Sequence, residues 1–257
     1  MSKASRLFGL HAVKAVLLHQ AERVHALWIQ DSRHDRRLEQ LIALAQTHGI
    51  APQPASRHEL DRLAGGSRHQ GVVVAVETPH MRSGKALPDF LDRLETPPFL
   101  LVLDGVQDPH NLGACLRCAD AAGVDAVIVP RDRAVGLTPV VVKVACGAAE
   151  TMPVFAVANL ARALKLLKER GVWIYGGAGQ AEHSLYDADL RGSLALVLGG
   201  EGQGIRRLTR ELCDDLLHIP MDGQVESLNV SVAVGIFLFE ARRQRRGSGQ
   251  GSRRERH

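Results

Sequence analysis

The chain lacks long apolar runs and is poor in aromatic residues. Phe, Trp and Tyr make up 4% of its 257 residues. No stretch of about 18 uncharged apolar residues is present to cross a membrane. The opening sequence MSKASRLFGLHAVKAVLL has no small-residue cleavage site after its apolar part, unlike a secretory signal. We therefore expect a cytoplasmic protein without membrane association, and its 45% hydrophobic residues allow a sizeable core.

Cysteine is also scarce, with four residues, and a cytosolic chain of this kind is not expected to depend on disulfides. Cys115 and Cys118 form a C-x-x-C pair, but Cys146 and Cys213 are isolated, so a zinc site would lack its second ligand pair. A redox pair at the start of a helix is the open alternative, although small buried cysteines on a helix are commoner. We predict no metal site.

Charge is close to balanced, with a small basic excess. Lys and Arg number 32 against 28 Asp and Glu, and twelve His can add positive charge near a polyanion. This balance is compatible with a nucleic-acid partner but is shared by many unrelated proteins. The terminal residues RRQRRGSGQGSRRERH contain many Arg and no apolar residue, so residues 246–257 are predicted to be a disordered basic tail.

Hydrophobic patterning divides the chain into two α/β regions. Residues 1–77 form a small predicted domain, with helices over 9–19, near 38–45 and over 56–63, and strands over 24–30 and 71–77. The Pro-, Gly- and polar-rich residues 78–97 are predicted to be a linker. Residues 98–245 alternate short apolar strands with helices, predicted over 111–122, 138–149, 159–170 and 205–213. This alternation predicts an α/β domain with a mainly parallel sheet covered on both faces.

A glycine-rich segment, GGEGQG at 199–204, lies between a strand and a helix of this second domain. It lacks the G-x-G-x-x-G spacing of a dinucleotide-binding loop and the Lys-Ser or Lys-Thr of a phosphate loop. Its glycines indicate instead that the backbone closely approaches a ligand or a neighbouring chain.

Another segment, DGVQDPHNLGACLRCADAAG, follows the first strand of the second domain. Asp108 and Pro109 are typical of a helix start. Asn111 and Arg117 are six residues apart, and we expect them on nearly the same side of the helix. Because Arg117 stands among apolar neighbours, it should either form a structural ion pair or point into a cleft.

A third segment, IPMDGQVESLNVSVAVGIF at 219–237, is ambiguous. Its valines alternate with small residues from Val230 onward, which is the period of a half-buried strand. Ser227 and Asn229 at its entrance are either turn and capping residues or part of an active site.

Taken together, NLGACLR at 111–117, LGGEGQGI at 198–205 and IPMDGQVESLNVSVA at 219–233 closely resemble the three signature motifs of the SPOUT superfamily of RNA 2'-O-ribose methyltransferases. The resemblance covers about residues 98–245. Within the superfamily, DGVQDPHNLGACLRCADAAGVDAVIVP and KVACGAAE look most like the bacterial enzymes that methylate a guanosine in the peptidyl-transferase region of 23S rRNA. FGLHAV at 8–13 and HQG at 69–71 resemble the ribosomal-protein-like RNA-binding domain of those enzymes.

The resemblance implies a deep trefoil knot in the C-terminal domain, and a helix from Leu228 onward that Ser227 would cap. It also implies S-adenosylmethionine (AdoMet) as the methyl donor, without a metal. The cofactor-binding residues that it implies are Gly199, Gly200, Ile219, Met221, Leu228 and Asn229.

For catalysis, the resemblance assigns Arg117 to the ribose 2'-hydroxyl, with Asn111, Glu201, Ser227 and Asn229 fixing the surrounding hydrogen bonds. Because arginine stays protonated, we expect its guanidinium, held by Glu201, to stabilise the developing alkoxide rather than to act as a base. On residue type alone, Glu201 is equally well interpreted as a solvated loop acid, and Ser227 and Asn229 are equally well interpreted as helix caps. The arginines predicted to line an RNA path are Arg131, Arg133, Arg206, Arg207 and Arg210.

The implied partners are 23S rRNA or a pre-ribosomal particle and a second copy of the chain. Phe237 and Phe239 would serve the homodimer interface, although a core helix would look the same. Two other functions compete with this one: 2'-O-methylation of tRNA, and RNA binding without catalysis on the same fold. The N-terminal domain disfavours the first, and the intact set of polar residues disfavours the second.

Overall fold

A computed structural model describes residues 4–19, 21–33, 35–77, 79–132, 134–200, 202 and 204–249. The backbone divides into two compact units. The first comprises the chain up to His80 together with Leu137–Thr151, and the second comprises Met81–Gly136 together with the chain from Met152 onward. In the described part of the chain, no helix has the length and apolar character needed to span a bilayer.

The first unit is built on a four-stranded sheet with strand order β1-β4-β2-β3. Its elements before the second unit are β1 (Ala4–Phe8), α1 (Leu10–His19), β2 (Val24–Gln30), α2 (Arg36–Thr47), β3 (Gln53–Ala55), α3 (Arg57–Leu63) and β4 (Val72–Glu77). β4 pairs antiparallel with β1 and β2, and β2 pairs parallel with β3. The central position of β4 explains its continuous apolar run, whereas the short, partly polar β1 and β3 escape prediction from the pattern.

The chain continues through β5 (Arg82–Ser83), α4 (Leu87–Leu91), β6 (Phe99–Asp104), α5 (Pro109–Ala122) and β7 (Ala126–Pro130). The short helices α6 (Pro139–Val144) and α7 (Ala148–Thr151) belong to the first unit. The remaining elements are β8 (Val154–Val157), α8 (Leu160–Glu169), β9 (Trp173–Gly177), β10 (His183–Ser184), β11 (Leu194–Gly199), α9 (Arg207–Arg210), β12 (Asp215–His218) and α10 (Val230–Gly249).

The eight strands of the second unit form one sheet of order β10-β12-β9-β11-β6-β7-β8-β5, and every pairing is parallel. The predicted α/β fold with a mainly parallel sheet is therefore confirmed. All six residues of β6 are buried, as expected for a strand covered on both faces. Because β12, β9, β11 and β6 are neighbours, the loops that follow them gather at one end of the sheet.

Three boundaries differ from the sequence-based expectations. Residues 82–91, predicted as linker, contribute β5 and α4, and Leu87 and Leu91 are buried in the second unit. The helix predicted over 138–149 is interrupted, because Cys146 and Gly147 both have positive φ, at 53° and 99°. The predicted tail begins too early, since α10 continues to Gly249, while residues 250–257 lie outside the described residues.

The segment with alternating valines is a helix, so the strand period was misleading. The buried residues of α10 follow a spacing of three and four: Val230, Val234, Phe237, Leu238 and Ala241. Val232, which belongs to the apparent strand face, is 50% exposed. The helix begins at Val230 rather than Leu228, and its cap is Asn229 rather than Ser227, because Asn229 Oδ1 accepts the backbone N–H of Ser231 at 2.9 Å.

Candidate active site

A cavity of about 990 Å³ lies where β9, β11 and β12 end. The residues predicted to bind the cofactor all line it: Gly199, Gly200, Ile219, Met221, Leu228 and Asn229. Ser227, one of the predicted catalytic residues, lines the same cavity. The carboxyl ends of parallel strands are where ligands bind in open α/β sheets, so the sheet itself brings these distant residues together.

Glycine is required in one wall of this cavity because the backbone segments touch. A Cβ on Gly199 would lie 1.9 Å from the carbonyl carbon of Gly204, and one on Gly200 would lie 2.5 Å from the carbonyl oxygen of Gly105. The N–H of Gly204, a residue with φ of +59°, donates to the carbonyl of Gly200 at 3.1 Å. This wall therefore presents main chain to the cavity, as the glycine-rich motif predicts.

Two asparagines from different motifs meet beside the cavity. Asn229 Nδ2 donates to Asn111 Oδ1 at 2.9 Å, although the residues are 118 positions apart. The Oδ1 atom of Asn229 accepts from the backbone N–H and the hydroxyl of Ser231, at 2.9 and 2.6 Å. Because the Ser231 N–H can only donate, it fixes which end of the Asn229 carboxamide faces Asn111. Asn229 thus caps α10, lines the cavity and orients Asn111.

Asn111 is held in place by the start of α5. The side chain of Asp108 caps this helix by accepting the N–H groups of His110 and Asn111, at 3.2 and 3.3 Å. Pro109 occupies the first turn, where its missing N–H costs nothing. Asn111 is only 7% exposed, so its polar group is buried next to Asn229 rather than solvated.

Arg117 is not on the side of α5 that Asn111 occupies, so that expectation is wrong. A separation of six residues turns a helix by about 600°, which leaves the side chains about 120° apart. Asn111 is buried, whereas Arg117 is exposed. Arg117 also does not belong to the residues that line the cavity in the described part of the chain.

The remaining charged candidates have different surroundings. Glu201 and Arg133 lie outside the described residues, so their roles stay predictions. Arg131 and Arg207 are exposed and pair with neighbouring acids, Asp132 at 3.0 Å and Glu211 at 3.7 Å. Arg210 is exposed and lines the cavity. Arg206 is different, because its guanidinium pairs with the buried carboxylate of Asp104.

The sequence analysis did not predict several of the residues that line the cavity. Gly177, Ala178 and Gly179 line it from the end of β9, and His218 lines it from the end of β12. The Nδ1 atom of His218 is buried and has no hydrogen-bond partner among the residues that the structure describes. Phe237, expected at a dimer interface, is 2% exposed and lines the cavity instead. For the residues at the ends of β9 and β12, the usable signal was position, because ligands bind at the carboxyl ends of parallel strands.

The cysteines do not form a reactive pair. All four are free thiols; Cys115 is buried, and burial raises its pKa to about 12. Burial also raises the pKa of Cys118, against the opposing charge of Arg117. Both shifts disfavour the thiolate that redox chemistry requires. Among the described residues, no group of three or more His, Cys, Asp or Glu side chains is placed to hold a metal ion.

Comparison with known families agrees with this geometry. Residues 98–239 match the model of the SpoU rRNA methylase family, and residues 6–82 match that of an RNA 2'-O ribose methyltransferase substrate-binding domain. The chain belongs to the SpoU rRNA methylase family. The family expected from the three motifs is thereby confirmed. One curated member, the 23S rRNA (guanosine-2'-O-)-methyltransferase RlmB of Shewanella oneidensis, is 56% identical over 96% of this chain and 100% of its own length.

Solved structures in the same family have the same fold. An RNA 2'-O ribose methyltransferase superposes with a TM-score of 0.75 at 26% identity, covering 95% of this chain and 90% of its own. The SpoU methyltransferase AviRb of Streptomyces viridochromogenes, solved in complex with AdoMet, has a TM-score of 0.74 at 23% identity, with 94% and 90% coverage. These structures support the two-part architecture of a parallel-sheet domain with an N-terminal substrate-binding domain.

Proposed function

We propose that this protein transfers a methyl group from AdoMet to the 2'-hydroxyl of a guanosine in 23S rRNA. The observation that carries the proposal is the double role of Asn229, which lines the cavity and holds the buried Asn111 at 2.9 Å. Curated relatives at 53–57% identity are named for this reaction. The cytoplasm, where ribosomal RNA is found, is the proposed location.

The cavity suits AdoMet in size and chemistry. Drug-sized ligands occupy cavities of about 300–1,000 Å³, and this one is about 990 Å³. Gly199 and Gly200 expose main-chain groups at one wall, while Ile219 and Leu228 supply apolar surface. When bound there, AdoMet supplies an electrophilic methyl group. In-line transfer then requires that the protein hold the ribose hydroxyl close to that methyl group.

The chain's own polar residues would position the ribose and stabilise the negative charge that develops on its 2'-oxygen. Asn111 and Asn229 form a preorganised pair whose orientation is fixed by Ser231. The guanidinium of Arg117, held by Glu201, would stabilise negative charge on the 2'-oxygen, with phosphate or water receiving the proton. An arginine keeps its own proton and so serves as an electrostatic group rather than a base.

Homodimerisation would bring Arg117 to the cavity of the other subunit. Arg117 is exposed on α5, and α5 packs against α10. On α10, Val232 and Phe239 are 50% and 48% exposed. They are seven residues apart, which places both on one face of the helix. This apolar face of α10 is the proposed dimer interface. The trefoil knot is likewise a proposal, supported by β11 lying between the earlier strands β6 and β9.

Mixed dimers test the shared site. Leu228→Arg should block the cavity with bulk and positive charge, and Arg117→Ala should remove the proposed electrostatic group. Each homodimer should be inactive. A heterodimer isolated through two different affinity tags would have one intact cavity facing one intact Arg117, and should recover about half of wild-type activity. A heterodimer as inactive as its parents would contradict the shared site.

The substrate is tested by mapping 2'-O-methyl groups on RNA from cells that lack this protein. We expect one 23S rRNA guanosine to lose its methyl group and to regain it when purified protein and AdoMet are added. Loss of a tRNA methyl group instead would identify the competing function. An unchanged methylation map, together with no AdoMet binding by calorimetry, would favour RNA binding without catalysis.

A further inference from the structure

Asp104, the last residue of β6, is a buried acid that the catalytic scheme leaves unused. Its side chain is fully buried, and Arg206 is its ion-pair partner, with Nη2 2.5 Å from Oδ1. Arg206 Nε donates to Oδ1 at 2.6 Å, and the backbone N–H of Arg206 donates to Oδ2 at 3.1 Å. Both carboxylate oxygens are therefore engaged by one residue that is 102 positions away in the chain.

The same acid also holds the other end of that segment. The main-chain carbonyl of Asp104 accepts the N–H of Gly200 at 3.1 Å. Gly200 and Arg206 bracket a loop whose described residues Gly200, Gly202, Gly204 and Ile205 all line the cavity. Asp104 thus fixes both ends of this loop against the end of β6, and we call its described cavity-lining residues, Gly200, Gly202, Gly204 and Ile205, the glycine wall.

The chemistry of the pair favours a positioning role. A buried carboxylate is costly unless it is paired, and here Nε and Nη2 of the guanidinium both contact Oδ1 while the backbone N–H of Arg206 holds Oδ2. Charge-assisted hydrogen bonds of this kind are stronger and more directional than neutral ones. Gly200, Gly202 and Gly204 leave the backbone of this loop conformationally permissive, so its shape depends on anchors at its ends.

We propose that Asp104 and Arg206 are positioning residues that set the shape of the glycine wall and thereby the affinity of the cavity for AdoMet. The proposal rests on the proposed function, because it takes the cavity to be the AdoMet site. It also reassigns Arg206, which was predicted to contact RNA. The pair acts through the loop backbone and does not itself line the cavity, unlike Arg210.

Asp214 provides a matched control at the other end of the same sheet. Its Oδ2 accepts the backbone N–H of Ile174 at 2.8 Å, and its Oδ1 lies 2.7 Å from Nζ of Lys168. Asp104→Asn and Asp214→Asn therefore remove the same charge from similar surroundings, and both should lower the melting temperature. Only Asp104→Asn should weaken AdoMet binding, measured by calorimetry on the full chain, by about tenfold.

Steady-state kinetics separate positioning from loss of folded protein. Asp104→Asn should raise the KM for AdoMet about tenfold while kcat at saturating AdoMet falls much less. A structural defect alone would lower the active fraction, and so kcat, with KM unchanged. Unchanged AdoMet affinity in Asp104→Asn, or an equal loss in Asp214→Asn, would overturn the proposal.

Two further variants complete the test. Arg206→Lys keeps the positive charge but loses the planar guanidinium, and it should weaken AdoMet binding several-fold. If Asp104→Asn does not fold, Arg206→Lys tests the proposal alone. Wild-type AdoMet affinity in this variant would then overturn the proposal. Leu228→Arg reports on the cavity itself. If it binds AdoMet like the wild type, the proposed cofactor site fails and this inference with it. If it loses binding while the Asp104 and Arg206 variants do not, only the positioning role fails.

Discussion

The two ends of the eight-stranded sheet use similar polar residues for different purposes. At the amino end, Asp125 stands one residue before β7 and accepts the N–H of Phe99, at the start of β6, at 2.8 Å. Asp214 stands one residue before β12 and accepts the N–H of Ile174 in β9, also at 2.8 Å. At the carboxyl end, Asn111 and Asn229 bond to each other beside a cavity.

The difference shows that residue type does not separate structural from functional polar groups. At the amino end, each carboxylate satisfies a strand N–H that would otherwise be unpaired, so its effect is confined to the fold. At the carboxyl end, the polar groups border a space that a ligand can enter. In a parallel sheet, the end of the strand at which a polar residue lies is the more informative property.

Among the variants that compare the two ends of the sheet, removing Asn229 should have the largest effect on activity. Asn229→Ala removes the contact to Asn111 and the cap of α10, and we expect turnover to fall about 100-fold because the ribose is no longer held in place. The lost cap should lower the free energy of unfolding by about 1 kcal/mol. Methyl transfer to 23S rRNA and chemical denaturation measure the two effects separately.

Asn159→Ala is the control for this variant. Asn159 caps α8 by accepting the N–H of Arg162 at 3.0 Å, and it does not line the cavity among the described residues. Its loss should cost about the same stability and leave turnover unchanged. If both variants lost activity to the same extent, the loss in Asn229→Ala would be due to helix capping alone.

The sequence was sufficient for most elements of the parallel sheet. Its core strands are apolar on both faces, so a run such as FLLVLD in β6 is recognisable without any partner. The three motifs were also recognisable, but through their joint resemblance to the signature motifs of a known family rather than through local pattern. Strands of two residues, such as β5 and β10, carry no period that could be detected.

The site was less predictable, because it depends on strand register and on how each helix is rotated about its own axis. Local pattern favoured a strand at 230–236, whereas the family resemblance implied a helix, and the burial of α10 at a spacing of three and four agrees with the helix. The relation of Asn111 to Arg117 required counting helical turns correctly. The contact between Asn111 and Asn229 joins residues 118 positions apart, which no local pattern reports.

Arg245 at the amino end should matter for stability but not for chemistry. Its Nη2 donates to the carbonyl of Pro97 at 2.8 Å, and its guanidinium lies 4.9 Å from the centre of the Phe99 ring. Arg245→Ala should lower the free energy of unfolding by about 1–2 kcal/mol. Arg191→Ala, which breaks the exposed pair with Asp189, should have a much smaller effect on stability. If folded Arg245→Ala showed reduced turnover, the amino end would also affect the chemistry, and the contrast between the two ends of the sheet would fail.

The smallest expected effect is a pH dependence at Asp125. Burial raises the pKa of this carboxyl above its usual value of 3.8, although the Phe99 N–H and the charge of Arg245 act in the opposite direction. The protonated form is therefore relatively favoured in the folded state. The stability that this group contributes is fully present below the unfolded pKa and is lost as the pH rises through the folded value.

Asp125→Asn cannot titrate and keeps an oxygen that accepts the Phe99 N–H. The free energy of unfolding of the wild type relative to this variant should therefore decline as the pH is raised through the range in which carboxyl groups titrate. Urea denaturation of both proteins across that range measures the decline. A difference that grows with pH would mean that the charge of Arg245 and the Phe99 N–H outweigh burial, so that the charged form of Asp125, like that of Asp104 at the carboxyl end, is stabilised by its surroundings.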